Sequence, residues 1–526
     1  MKKAVFIILF LIVMALMLGE TRSSIGKYDD ILAWRMYHFG PNHSGYTTSL
    51  APQVESLRWK YKADDFVFSS PAVADGIVFV GSSDNRVYAL NELTGTQVWN
   101  YSTAGSVESS PSVIDGYVFV GSDDGNVYAL NEVNGQKIWS YKTGGPLLYS
   151  SPTVVDGLVL VGSSNGTLCA LKESSGKKIW SRNIGLDGLS SCAIDDGTVF
   201  IGGYGQKIYA LNEQTGTDVW NYDTGAITDE ISSPAVANGM VFISDPVRVY
   251  ALNETSGTRI WSFAILSSGT HMFSSPAVAD GMVFAGAYPV GFYALNETTG
   301  ALVWTTYEKT WIGCDFSSPA IANGVVYVGA FDNNIYALNE STGVVIWNRY
   351  IGNAGASYVE ASPAIADNML FMGGLDNIYC FGPSVNVKPV LEVVSPSNNS
   401  VLSSSDVTVQ WNCSSIISVD HYSVKLDNDT WIDVGDNNTA TFKGLVNGNH
   451  TVYVQAFDRG GLNGTILSDF IVSTQNLTPE IVVLVGVIIV VVVISVYLGL
   501  RRKMTKQLVP PALSESDPKS ARVYNV

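Results

Sequence analysis

Hydrophobic residues along most of this chain come in short runs separated by turn residues. IVFVGS (77–82), RVYALN (86–91) and TQVWNY (96–101) each hold four to six residues suited to strands, rich in Val, Tyr, Phe and Trp. Such runs, closely spaced and bounded by Gly, Asp and Asn, predict antiparallel strands joined by tight turns. The pattern is then repeated: SSPAVADGIVFVGSSDNRVYALNELTGTQVW (69–99) is followed by SSPSVIDGYVFVGSDDGNVYALNEVNGQKIW (109–139). Its SSP element starts at Ser69, Ser109, Ser150, Ser190, Ser232, Ser274 and Ser317, and at Ala361 as ASP.

Each copy carries a turn dipeptide after SSP, from Asp75-Gly76 through Asn323-Gly324, with Asp367-Asn368 in the last. These residues tolerate the positive φ of a two-residue hairpin. One unit therefore carries four strands, a sheet with two apolar faces that is unstable alone and must stack on its neighbours. Small residues in SPAVA suit an innermost strand, where the Pro is expected to be tolerated because that inner edge pairs with nothing. Trp99, Trp139, Trp180, Trp220, Trp261, Trp304 and Trp347 recur on the fourth strand, where a large ring can wedge between sheets. The eighth unit ends at NIYCFGP (377–383) without a Trp strand, while LRWKYKA (57–63) precedes the first unit as an orphan. Pairing the two closes a ring. The expectation is an all-β chain with an eight-bladed propeller over 54–383, preceded by a lead-in over 21–53.

The rest of the chain follows from other patterns. Residues 386–474 alternate strand-like runs with Asn, Gly and Ser turns, as a β-sandwich does. LVNGNHTVYVQAFDRGGLNGT resembles the end of immunoglobulin- or fibronectin-like modules, which implies a spacer or stalk, or alternatively a carbohydrate-binding module. At the N-terminus, Lys2 and Lys3 precede the apolar run AVFIILFLIVMALML, so 1–20 reads as a signal peptide. IVVLVGVIIVVVVISVYLGL (481–500) is uncharged and long enough to span a membrane, which places a transmembrane helix over 480–500. Arg501, Arg502 and Lys503 follow it, so the short 501–526 tail is expected in the cytoplasm and the bulk of the chain outside. Asn-X-Ser/Thr sequons at Asn253, Asn296, Asn339, Asn412, Asn428, Asn437, Asn449 and Asn463 lie on that outer side and are candidate glycosylation sites. With 30 basic and 47 acidic residues the net charge is −17, a field that repels nucleic acid. The five cysteines, three of them in repeat positions, predict no disulfide.

The repeat unit resembles that of the pyrroloquinoline-quinone-type propeller superfamily, and WRMYHFGPNHSGYTTSLAP (34–52) resembles the lead-in of its secreted prokaryotic members. The resemblance implies a surface protein, archaeal in kind. The superfamily includes quinoprotein alcohol dehydrogenases, which use a calcium-bound quinone, and a lipoprotein of the outer-membrane barrel-assembly machinery, which binds proteins and no cofactor.

Comparison of the copies shows where function could sit. From the SSP proline position to the next Trp the count is 28 in six units and 27 in one, whereas from Trp to the next proline position it runs from 12 to 16. Length varies where one unit joins the next, so that face is the expected working face. Acidic residues precede SSP in several units: Asp65, Glu108, Asp187, Asp229, Glu230, Asp315 and Glu360. Together with His271, Trp311 and Tyr358 they form a candidate ligand-binding funnel, with solvated loop acids as the plainer reading. Paired-histidine metal sites and Ser-His triads lack material, since only His271 lies within the repeat units. The expected function is a membrane-anchored platform for an envelope protein or glycan, without catalytic or metal residues and with no cofactor. The alternatives are a quinone- and calcium-dependent oxidoreductase and a passive envelope component.

Overall fold

A computed structural model describes residues 33–52, 56–185, 190–203, 207–225, 232–265, 272–289, 291–306, 316–352, 359–383, 388–415, 419–458 and 462–474. The signal segment 1–20, the span 480–500 and the tail 501–526 lie outside the described residues. Among the described residues every regular element is a β-strand, and no helix is long and apolar enough to cross a membrane. They fall into two compact units, the first built mainly from residues up to 390 and the second mainly from residues beyond it.

The first unit holds eight sheets of four repeat strands, one of them extended by a fifth, parallel strand, Tyr46–Thr47. In the first sheet the inner strand Ala72–Ala74 pairs with Ile77–Ser82, then Arg86–Asn91, then Gln97–Ser102. Asp75 and Gly76 both have positive φ between the first two strands, as do the matching residues of every other copy. Leu57–Lys62 pairs antiparallel with Asn377–Phe381, Trp59 opposite Cys380, and so completes the last sheet.

The SSP element explains how the sheets are held to one another. Its first Ser accepts a backbone N–H of its own second strand, as Ser69 Oγ does from Gly81 at 3.0 Å. Its second Ser accepts from the preceding sheet: Ser70 N–H donates to Ser110, Ser110 to Ser151, Ser151 to Ser191 and Ser191 to Ser233. The series continues through Ser275, Ser318 and Ser362, whose N–H returns to Ser70. At the periphery each indole N–H reaches a Glu carbonyl of the next sheet: Trp59 to Glu92, Trp99 to Glu132, and so on to Trp304 and Glu340, all at 2.7–2.8 Å. A positive-φ Gly lies against each ring. At Gly135 an added Cβ would stand 2.6 Å from Trp99. Trp347 lacks this bond, because the eighth sheet ends at Phe381 without the Leu-Asn-Glu turn; its ring packs near Phe381 instead.

The expectation that the inner edges pair with nothing is wrong. The lead-in threads the centre and bonds to them, with N–H groups of Val113, Ile194, Val236, Val278 and Ile321 donating to the carbonyls of Arg35, Pro41, Asn42, Ser44 and Gly45. Trp34 and Val73 exchange both bonds. The prolines are tolerated because they precede these donors, leaving the middle residue of the inner strand to donate in six of the sheets. His38 and His43 are buried within this plug, His38 Nδ1 lying 3.1 Å from the His43 carbonyl. Burial lowers their pKa values to about 4 and about 3.

Carboxyls meet between sheets at the other ends of the inner strands. Burial, then the neighbouring Asp75 carboxyl, pushes Glu132 up to about 7, against the pull of Arg35, which pairs with Asp75 at 3.6 Å. Burial and Asp280 push Glu340 up to about 7 as well, and Glu213 beside Asp156 and Glu254 beside Asp195 and Asp196 are raised for the same reasons. In the second unit, Val390–Ser395, Val407–Ser414 and Thr439–Phe442 form one sheet and five further strands another. Alternation along VTVQWNCS buries Val407, Val409 and Trp411 while their neighbours face out.

Two outcomes follow for stability. Gly135→Ala and Gly116→Ala both place Ala at positive φ, but nothing lies within 4 Å of Gly116. Equilibrium denaturation should show Gly135→Ala as the worse by about 1–3 kcal/mol, the cost of overpacking against the indole; equal losses would mean the ring is not fixed there. The pH profile should have two limbs. Glu132 and Glu340, raised from 4.5 to about 7, contribute stability that is complete below 4.5 and lost as pH rises through 7. His38 and His43, lowered from 6.5, contribute stability present above 6.5 and lost as pH falls towards their folded values. The melting midpoint should therefore climb as pH falls from 8 through 7, level between 6.5 and 4.5 where the groups oppose one another, and drop below. Glu132→Gln with Glu340→Gln should flatten the alkaline limb and, with the opposing term gone, let the acid-side drop begin near pH 6.5.

Candidate functional site

Because both serines of each SSP element, and Ser362 of the ASP copy, are held by backbone donors, the residue immediately before each element is placed at a fixed position at the entrance to the inner strand. Six of these residues, Phe68, Glu108, Tyr149, Phe273, Phe316 and Glu360, line a single cavity of about 70 Å³. Beneath them lie the ring serines, and Tyr37 of the lead-in closes the floor, its hydroxyl 3.0 Å from Ser275 Oγ and 2.9 Å from Ser318 Oγ. In ring order the sequence Phe316, Glu360, Phe68, Glu108, Tyr149 covers five consecutive sheets, so aromatic and acidic side chains alternate around the mouth.

The aromatic residues also meet across it. Phe273 and Phe316 are stacked with centroids 4.8 Å apart and planes 6° from parallel, and Phe316 lies 6.1 Å from Tyr149. Tyr149 and Phe316 come from the third and seventh sheets, on opposite sides of the ring, so their side chains converge near its axis. The Glu108 carboxyl is raised, chiefly by burial and then by Asp123, against hydrogen bonds from Ser83 and Tyr149. Burial raises Tyr149 strongly, and the charges of Glu108, Glu360 and Asp123 add to it. The mouth is thus a poorly hydrated, electronegative place.

Of the residues singled out in the sequence, Glu108 and Glu360 line this cavity. Asp65 does not: it is exposed and its Oδ1 accepts the N–H of Phe66. Asp187, Asp229, Glu230, His271, Trp311, Asp315 and Tyr358 lie outside the described residues. Asn253, Asn296 and Asn339 end their third strands, and their Oδ1 atoms cap the following turn by accepting from Ser256, Thr299 and Thr342. Asn412, Asn428, Asn437, Asn449 and Asn463 belong to the C-terminal region, where Asn437 Nδ2 donates to the Val434 carbonyl. Sequence reasoning missed Phe68, Tyr149, Phe273, Phe316 and Tyr37. The first four were detectable, since each occupies the position before SSP; acids were instead collected at any offset. Cys169, Cys192 and Cys380 are buried, free thiols.

A tricyclic quinone with its calcium ion does not fit the cavity these side chains leave. Its volume is well below the roughly 300–1,000 Å³ of small-molecule sites. Among the described residues no group of three or more His, Cys, Asp and Glu could hold a metal ion. No chemical step is derived through such a group.

Comparison with curated protein sequences finds no match. Among solved structures, BamB from Moraxella catarrhalis is 20% identical, with a TM-score of 0.54 over 64% of this chain and 99% of its own. The quinohemoprotein alcohol dehydrogenase of Comamonas testosteroni is 15% identical, with a TM-score of 0.57 over 70% and 83%. A europium-containing methanol dehydrogenase is 14% identical, with a TM-score of 0.55 over 68% and 99%. At these identities the likeness establishes a shared β-propeller fold and leaves activity open. The family model described as outer membrane protein assembly factor BamB matches residues 44–147, 148–240, 174–264 and 246–377, well over half of the sequence. By that match, the chain belongs to the BamB-type family of repeat propellers.

Proposed function

We propose that this protein is a binding platform of the cell envelope: an eight-bladed propeller, carried on an immunoglobulin-like stalk by a single C-terminal membrane span, that engages a protein partner and uses no cofactor. One observation carries the reading. The face where one sheet joins the next has a small mouth walled by aromatic rings and two carboxylates, while the lead-in fills the channel beneath it. Aromatic side chains gathered at a concave surface are the usual anchors of protein interfaces. A mouth of this size suits an inserted side chain better than a freely diffusing metabolite. The description of the matched family as an assembly factor supports a partner-binding role, and the glycosylation candidates Asn253, Asn296 and Asn339 lie on turns away from the mouth.

The test is site-specific photo-crosslinking of the full-length protein in native envelopes. A photoreactive residue at Phe66 or Ala104, exposed on the joining face, should give one discrete adduct common to both positions. The same residue at Thr94 or Gln136, on turns of the opposite face, should give none. Adducts from the opposite face alone, or from neither face, would overturn the reading.

A further inference from the structure

We infer that the mouth receives a single side-chain cation, the ammonium of a lysine or the guanidinium of an arginine, presented by the partner. The inference rests on the reading of this face as the binding face and specifies what that face recognises. The first argument is charge. Among the described residues lining the cavity are two carboxylates, Glu108 and Glu360, and no Lys, Arg or His. The two stand on the second and eighth sheets, on either side of Phe68, so a group seated over Phe68 is flanked by both.

The second argument is the wall. Phe68, Tyr149, Phe273 and Phe316 present π-systems to the same space, and the faces of such rings attract cations. Glu108 is desolvated, and the negative charge of Glu108, Glu360 and Asp123 is concentrated at Tyr149. A cation relieves both conditions at once. An anion would be repelled, and a neutral group would add to the desolvation of Glu108 without offsetting it.

The third argument is size and floor chemistry. A cavity of about 70 Å³, where a single water needs about 10–15 Å³ on the same measure, has room for a few waters or the tip of a side chain. Ser275 and Ser318 are engaged by the Tyr37 hydroxyl, whereas Ser70, Ser110 and Ser151 each spend one Oγ lone pair on a neighbour's N–H and keep another to accept a hydrogen bond. Ammonium and guanidinium groups have several donors and no acceptor, so the remaining serine oxygens match them. Ser70, Ser110 and Ser362 lie directly beneath Phe68, Glu108 and Glu360 in the sequence and are bonded to one another in the ring.

The experiment titrates the full-length protein with n-butylammonium, n-butylguanidinium, 1-butanol and methyl glucoside, followed by ligand-observed NMR. Both cations should bind roughly tenfold more tightly than the alcohol, the preference expected from a cation held by carboxylates and rings. Glu108→Gln with Glu360→Gln should erase the preference while leaving the melting curve at pH 5 unchanged, and Glu360→Gln alone should reduce it. Equal binding of amine and alcohol, a preference that survives the double substitution, or binding of the glucoside in place of the cations would each overturn the inference. If the preference is missing while the Phe66 and Ala104 adducts persist, the cation is wrong and the platform stands. If the adducts are missing too, the binding face itself is wrong.

Discussion

Everything in the propeller depends on the circle of hydrogen bonds from Ser70 through the second serines of the other seven copies and back to Ser70. The N–H donated at each step belongs to a residue entering the innermost strand, where the strand ladder has not begun. Left alone it would be a buried, unpaired donor, costing about 1–3 kcal/mol. The neighbouring hydroxyl satisfies it, and because the donor and acceptor of each serine point to different sheets, one residue fixes the relative position of three. A circle of this kind admits no slack. Sheets joined by 12 residues and by 16 must still present their serines at the same height, so differences in join length are expelled to the surface. The variable face is therefore a consequence of the invariant centre.

Much of the fold was legible because the repeat displays its own constraints. The Asp-Gly dipeptides announced positive φ, the Trp recurrence announced an inter-sheet wedge, and the orphan LRWKYKA could be matched to the eighth unit's missing strand by simple counting. What could not be read was the lead-in. WRMYHFGPNHSGYTT has no strand alternation because it forms no ordinary strand: it turns through positive φ at His38, Phe39, His43 and Gly45 so that successive carbonyls meet successive inner strands. Its contacts are spread over many sheets, and nothing local in its sequence records which carbonyl meets which N–H. The mouth was legible in part. Position before SSP decides whether a side chain enters it, and chemistry alone does not, which is why Glu108 and Glu360 were found while Tyr149 and Phe316 were passed over.

The lead-in also makes the two ends of the channel unequal. Its backbone consumes the inner donors and its Tyr37 hydroxyl reaches up to Ser275 and Ser318, so the serine circle becomes a floor instead of a pore. A ligand can approach that floor from the mouth alone. The same segment buries two histidines completely, so that neither is readily protonated. Stability of the plug and closure of the mouth are thus one structural fact seen from two sides.

Acidic residues show most clearly how position within the repeat assigns a role. Glu132 and Glu340 immediately follow third strands, where each meets an Asp from the adjoining sheet and is pressed towards neutrality by burial. There the carboxyl belongs to the seam between sheets, and protonation is the way it is accommodated. Glu108 precedes SSP and Glu360 the ASP of the last copy, where the described neighbours are rings and hydroxyls. Burial is less complete at Glu108, which leaves its charge available to whatever enters. A net charge of −17 is therefore not one property of this chain. Part of it is spent between the sheets as a pH-dependent strain, and part lies at the mouth, where Glu108 and Glu360 stand among aromatic rings.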